Sequence, residues 1–260
     1  MNFDMSFIPE RPGKERSSGL TMMMDKGLSL KEAEQFVESS GEFTDLVKFG
    51  FGTALIAKDL KKKVKLYRSS GLRPYFGGTL FEMFIVRNRF DKYRAFIDEA
   101  GIETVEVSDG SIRMEHEEKL ECIRTLAKDF RVLSEVGSKV KGFEIPNEVW
   151  VLNMKTELEA GAWKVIAEAR ESGTIGIYKS DGSANRELID DIMKEISVDD
   201  VLWEAPNKSQ QVMFIKLVGP NVNLGNIPPN EVVSLEALRC GMRGDTFFDF
   251  LPGELQDRKL

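Results

Sequence analysis

Eight short runs rich in β-branched and aromatic residues alternate with helix-patterned segments along 260 residues. The runs are Leu20–Asp25, Leu46–Gly50, Arg73–Gly77, Thr104–Asp109, Arg131–Gly137, Trp163–Arg170, Val201–Ala205 and Val222–Asn226. Their ends, from Asp25 through Lys48, Gly77, Asp109, Glu135, Glu168 and Glu204 to Gly225, recur about every 29 residues, the length of one βα unit. Strands joined through helices pair in parallel. Eight such units predict a single (β/α)8 TIM barrel, a fold of about 250 residues. A doubly wound open sheet is the competing architecture, and the barrel is preferred because no Gly-x-Gly-x-x-Gly follows the first run. The expected division is an N-terminal arm over 1–19, the barrel over 20–248 and a polar tail over 249–260.

Charges at the strand ends carry the functional reading. Parallel sheets are covered on both faces, so a charge there reaches water only at an open end, and burying it unpaired costs several kcal/mol. Strand side chains alternate between faces. In the sixth run, small Ala167 and Ala169 suit helix packing, which turns Glu168 and Arg170 inward. The same parity turns Glu204 inward with Leu202, Glu135 with Leu133, Glu106 and Ser108 with Thr104, Lys48 with Leu46, and Asp25 with Met23. The expected set is therefore inward carboxylates on strands one, four, five, six and seven, and inward cations on two and six. Carboxylates on neighbouring strands, about 4.8 Å apart, can share an oxygen-ligated divalent ion, and Mg²⁺ suits a sparse carboxylate set. The candidate metal ligands are Glu106, Glu135, Glu168, Asp25 and Glu204.

Lys139 follows Glu135-Val-Gly-Ser just beyond the fifth strand, where an ammonium can reach over the barrel mouth and be tuned into a proton donor. Glycine-bearing turns at Gly77-Gly78-Thr79 and Arg170-Glu-Ser172-Gly173, with Lys208-Ser209 at a helix start, offer N–H groups and cations to an anion. Lys48 and Asn226 complete the candidate substrate-binding set. His116 reads as a surface histidine among glutamates, which leaves no histidine-based triad. Cys122 and Cys240 lie too far apart in sequence for a metal motif and read as reduced. The net charge of −7 argues against nucleic acid and anionic membrane as partners. No signal-like leader or membrane span is apparent, so a cytoplasmic protein is expected.

The chain resembles the phosphosulfolactate synthase family from about Gly19 to Thr246. The segments that carry the likeness include Leu46-Val-Lys-Phe-Gly-Phe-Gly-Thr53, Gly77-Gly-Thr-Leu-Phe-Glu82, Val105-Glu-Val-Ser-Asp-Gly-Ser111, Leu133-Ser-Glu-Val-Gly-Ser-Lys139, Glu168-Ala-Arg-Glu-Ser-Gly173, Trp203-Glu-Ala-Pro-Asn-Lys-Ser-Gln-Gln211, Val222-Asn-Leu-Gly-Asn-Ile227 and Arg243-Gly-Asp-Thr246. The resemblance implies an α/β barrel that adds sulfite to phosphoenolpyruvate in a Mg²⁺-dependent reaction to give (2R)-phospho-3-sulfolactate. It also implies Lys139 as general acid, a carbon–sulfur lyase class and a tendency to self-associate as a homo-oligomer. Phe51, Gly225 and Ser138 depart from residues common in the family. Ser138 and the C-terminal part lean toward the bacterial members, so the product could feed sulfolactate in a bacterium as well as coenzyme M in an archaeon. Two alternatives carry other expectations: a Mg²⁺-dependent aldolase or isomerase on another phosphorylated acid, and a non-catalytic stress-associated barrel.

Overall fold

The computed structural model describes residues 3–138, 145–170 and 172–259. Eight parallel strands form one sheet: β1 (Thr21–Asp25), β2 (Leu46–Phe49), β3 (Arg73–Phe76), β4 (Thr104–Ser108), β5 (Arg131–Val136), β6 (Lys164–Ala167), β7 (Val201–Glu204) and β8 (Leu224–Ile227). The strand order is β3-β2-β1-β8-β7-β6-β5-β4. Pairing of β1 with β8 bends the sheet into a barrel and excludes the doubly wound alternative. The strands are shorter than the sequence runs, mostly by losing the last residue, which belongs to the loop beyond.

The ring of hydrogen bonds stops between β3 and β4, which lie side by side with no ladder pair among the described residues. Pro74 supplies a reason. The amides of Arg73 and Gly77 donate to Asp45 and Phe49 on the β2 side. Alternation then turns position 74 toward β4, where proline has no N–H to offer.

The helices form the outer layer: α1 (Leu30–Ser40), α2 (Leu60–Ser69), α3 (Gly78–Ile85), α4 (Phe90–Glu99), α5 (His116–Leu126), α6 (Asn147–Glu159), α7 (Arg186–Glu195), α8 (Lys208–Val218), α9 (Val232–Arg239) and the short α10 (Gly253–Gln256). Ser29 caps α1 through a capping box with Glu32. The helix α3 was not expected; its Gly-Gly-Thr opening reads as a turn, and its other residues are apolar except Glu82.

Two apolar bodies result. Leu20, Met22, Leu46, Tyr75, Leu133, Ile166 and Leu202 fill the barrel interior. A larger body, including Met23, Phe49, Phe76, Val107, Val165 and Trp203, packs the strands against the helices. Below the barrel, fully buried Arg239 donates to the carbonyls of Leu20, Pro220 and Val222. Arg16 joins Asp45 at 2.8 Å, which ties the N-terminal segment to that face.

Candidate active site

The carboxyl ends of the strands surround a cleft of about 380 Å³. Lys48, Gly77, Gly78, Glu106, Glu135, Glu168, Arg170, Ser172, Glu204 and Asn226 all line it. Alternation places them. Leu46, Leu133, Ile166 and Leu202 fill the barrel floor, so the residue two positions on in each strand rises from the same inner face toward the mouth. Glu106, Glu135, Glu168 and Glu204 are each no more than 2% exposed.

Lys48 sits among them. Its Nζ lies 3.1 Å from Glu106 Oε2, 3.2 Å from Glu135 Oε2 and 3.2 Å from Glu204 Oε1. Burial alone would lower its pKa; Glu106, Glu204 and Glu135 outweigh that, and the ammonium is held well above the ordinary lysine range. Glu204 moves the other way for a carboxylate. Burial, then the charges of Glu135 and Glu106, push it up to about 7 against the pull of Lys48 and the amide of Ala169. Four buried carboxylates thus face one buried ammonium among the described lining residues.

Glu135, Glu168 and Glu204 each offer an oxygen, all within 4.8 Å of one another. An all-oxygen, carboxylate-rich set fits a hard divalent cation such as Mg²⁺. These three residues would hold it, with Glu106 beside them as the further carboxylate on Lys48.

Other polar groups hold the carboxylates in place. Ser108 Oγ contacts Glu82 Oε1 at 2.6 Å and Glu135 Oε1 at 2.8 Å. The Gly78 amide donates to Glu106 Oε1, and a Cβ at Gly78 would stand 2.3 Å from Ser108 Cβ. Beside Lys48, on the neighbouring strand β3, the buried Tyr75 hydroxyl has no hydrogen-bond partner among the described residues and lies in the field of Glu106 and Lys48. Asn226, at φ 59°, donates from Nδ2 to Ala169 O at 3.0 Å, and its Oδ1 has no hydrogen-bond partner among the described residues.

Behind β5 a second buried network fixes the strand. Lys119 Nζ donates to the Glu135 carbonyl at 2.7 Å and pairs with Glu157 at 2.8 Å and Asp109 at 2.9 Å. Ser134 donates to the other Glu157 oxygen at 2.6 Å. His116 is half-buried against this network rather than on the open surface; its Nε2 meets Thr156 Oγ1 at 2.9 Å, and burial lowers its pKa.

Several expectations need correction. Asp25 does not point inward. Met22 and Met24 take the inner face of β1, and Asp25 turns to the helix layer, where Tyr67 and Lys63 of α2 and the amides of Gly27 and Leu28 bind it. Three successive methionines gave parity no contrast to work with. Lys208 pairs with Asp245 at 2.9 Å, and neither it nor Ser209 lines the cleft. Gly173 also lies off the cleft, with its carbonyl bound by Gln210. The amides of Gly77 and Gly78, expected to meet an anion, are spent on Phe49 and Glu106. Arg170 is exposed at the rim, beyond the barrel interior. Lys139 lies outside the described residues. Glu82, Tyr75 and Lys119 were missed; the one charge in the apolar run Thr79–Ile85 was a readable signal for Glu82, whereas Lys119 looks like any helix-surface lysine.

The sequence matches the family model for (2R)-phospho-3-sulfolactate synthase (ComA) over residues 9–245. A phosphosulfolactate synthase of Bacillus subtilis is 39% identical over 244 residues, covering 93% of this chain and 97% of its own. Another, from Methanothermobacter thermautotrophicus, is 42% identical over 252 residues, covering 95% and 98%. Among solved structures, 3-hexulose-6-phosphate synthase from Salmonella typhimurium matches with a TM-score of 0.55 at 14% identity, covering 85% of this chain and 99% of its own; that likeness concerns the barrel alone. Family match, relatives covered nearly end to end and an acidic cleft at the barrel mouth converge: the chain belongs to the phosphosulfolactate synthase family.

Proposed function

We infer that the cleft adds sulfite to phosphoenolpyruvate to give (2R)-phospho-3-sulfolactate, with Mg²⁺ on Glu135, Glu168 and Glu204 and with Lys139 as proton donor. The observation that carries the metal reading is the three carboxylate oxygens gathered within 4.8 Å at the mouth. Both substrates are anions, so their mutual repulsion and that of the glutamates must be offset. A bound dication supplies that positive charge and polarises the substrate carboxylate.

The chain's own residues do the rest. The sulfite sulfur donates its electron pair to the methylene carbon of phosphoenolpyruvate, forming the C–S bond. The C=C electron pair moves toward the carboxylate, and a proton then closes the middle carbon. Lys139, two residues past Gly137, is the proposed source of that proton. Lys48, held in place by three glutamates, supplies fixed positive charge near the developing carboxylate charge. Arg170 and Ser172 line the cleft, which supports a role for them in holding phosphate or sulfite. Reversal of the step would cleave the same bond, which supports a carbon–sulfur lyase class. No helix among the described residues is long and apolar enough to cross a membrane; we take the enzyme to be cytoplasmic and self-associating.

The test is incubation with phosphoenolpyruvate, sulfite and Mg²⁺, with detection of a sulfonated phosphoester by mass spectrometry. Product should vanish with a chelator and return with Mg²⁺. Turnover unaffected by chelation would sink the metal reading, and full activity of Lys139→Ala would sink the proton-donor reading.

A further inference from the structure

A basin on the face opposite the mouth is lined mainly by cations. It lies where β3 and β4 run unpaired, at their N-terminal ends. Its main part measures about 560 Å³, and a narrower extension of about 250 Å³ shares Arg68, Leu72, Arg73, Glu103 and Arg131 with it. Five cations line the main part, Lys61, Lys65, Arg68, Arg73 and Arg131, against two carboxylates, Glu15 and Glu103. This is a local positive excess in a chain whose net charge is −7.

The two carboxylates do not use up the cations. Arg68 pairs with Glu103, Arg73 reaches Glu15 at 3.1 Å, and Lys61 pairs with Glu99. Arg131 makes no ion pair among the described residues. Its guanidinium lies over the Trp163 ring, 4.7 Å from the centroid, and Arg73 approaches the same ring at 5.6 Å. A ring contact attracts a cation but neutralises no charge. Burial and then the neighbouring Arg73 lower the Arg131 pKa, while Glu15 and Glu103 pull it back. Buried Lys164, 4.7 Å from the same ring, is also lowered, first by burial and then, against Asp200 and Asp199, by Arg131 and Arg73. Positive charges held this close to one another fall in energy when an anion enters. Two adjacent guanidinium forks suit a phosphate-type oxyanion better than a single carboxylate.

We propose that this basin is a second binding site, for a small phosphate-bearing polyanion, with Arg73 and Arg131 as its recognising pair. It is separate from the mouth. Arg73 opens β3 and Gly77 follows it, so the two sites lie about 13 Å apart along the strand.

Trp163 makes the test direct, because Trp150 and Trp203 are buried at 3% and 0% exposure. Pyrophosphate is titrated into metal-free, full-length protein while tryptophan fluorescence is followed, with inorganic phosphate as the weaker probe. The expected result is a saturable change that disappears in Trp163→Phe. The apparent Kd should weaken by roughly tenfold or more in Arg131→Ala and further in Arg73→Ala/Arg131→Ala. It should stay unchanged in Arg170→Ala, which alters only the mouth. No saturable change, or a change indifferent to Arg73 and Arg131 but lost in Arg170→Ala, would overturn the proposal. Sedimentation of Arg131→Glu covers the remaining reading. If that variant dissociates an oligomer while pyrophosphate leaves the native chain unaffected, the basin is a contact between copies and the proposal fails.

Discussion

At Gly78, the end of β3, the start of α3 and the wall of β4 meet within one atom's width. A methyl group there would overlap Ser108 and disturb the amide that orients Glu106. Gly78→Ala should cost about 1–3 kcal/mol, the range for overpacking, seen as a lower urea midpoint, and should reduce kcat at the same time. Glu204 gives a pH prediction. Its ordinary value is 4.5 and its folded value about 7, so folding takes up a proton between them. The resulting stability is complete below about pH 4.5 and is lost as pH rises through about 7. Metal-free protein should therefore weaken across that window in urea unfolding, and Glu204→Gln should flatten the profile; an identical slope in the variant would assign the effect elsewhere. For Cys122, burial first and then Glu118 and Glu121 push the thiol up to about 11. At pH 8 only on the order of one thiol in a thousand is ionised, so it should react with a disulfide reagent only as fast as the protein unfolds.

Elements explain which parts of the site could be read ahead of the structure. Parity worked on β2, β4, β5 and β7 and for Glu168 just past β6, where a polar residue interrupts an apolar run and marks the inner face, but it did not carry as far as Arg170, which is exposed. It failed on β1, whose Met22-Met23-Met24 run is apolar on both faces, and so misplaced Asp25. The α3 helix was hidden because a glycine pair that opens a helix looks like one that makes a turn. Glycine is needed there for closeness, not for a left-handed backbone. Partners contributed by distant segments were not legible at all: nothing local tells Lys119 of α5 from its solvated neighbours. Its burial predicts a large effect. Lys119→Met leaves Glu157 and Asp109 without their cation and should cost about 3–5 kcal/mol. Lys119→Met combined with Glu157→Met should recover part of that loss, and the double-mutant cycle measures the coupling.

For the molecule as a whole, a cation held at the mouth would couple to stability. If Mg²⁺ binds the native mouth and not the unfolded chain, a hundredfold excess over Kd adds about 2.7 kcal/mol, read as a rise in Tm that Glu135→Gln abolishes. A Tm indifferent to Mg²⁺ would remove the metal from the site. The gap in the backbone ladder gives these residues another meaning. Lys48 stands on β2 and Glu106 on β4, on opposite sides of the unpaired boundary, and Glu106 also takes the amide just past β3. The sheet is a strip whose two free edges are buckled together at one end by charges that also line the cleft. Loosening the buckle would free the two edges, so the atoms that shape the cleft are also the ones that keep the barrel round.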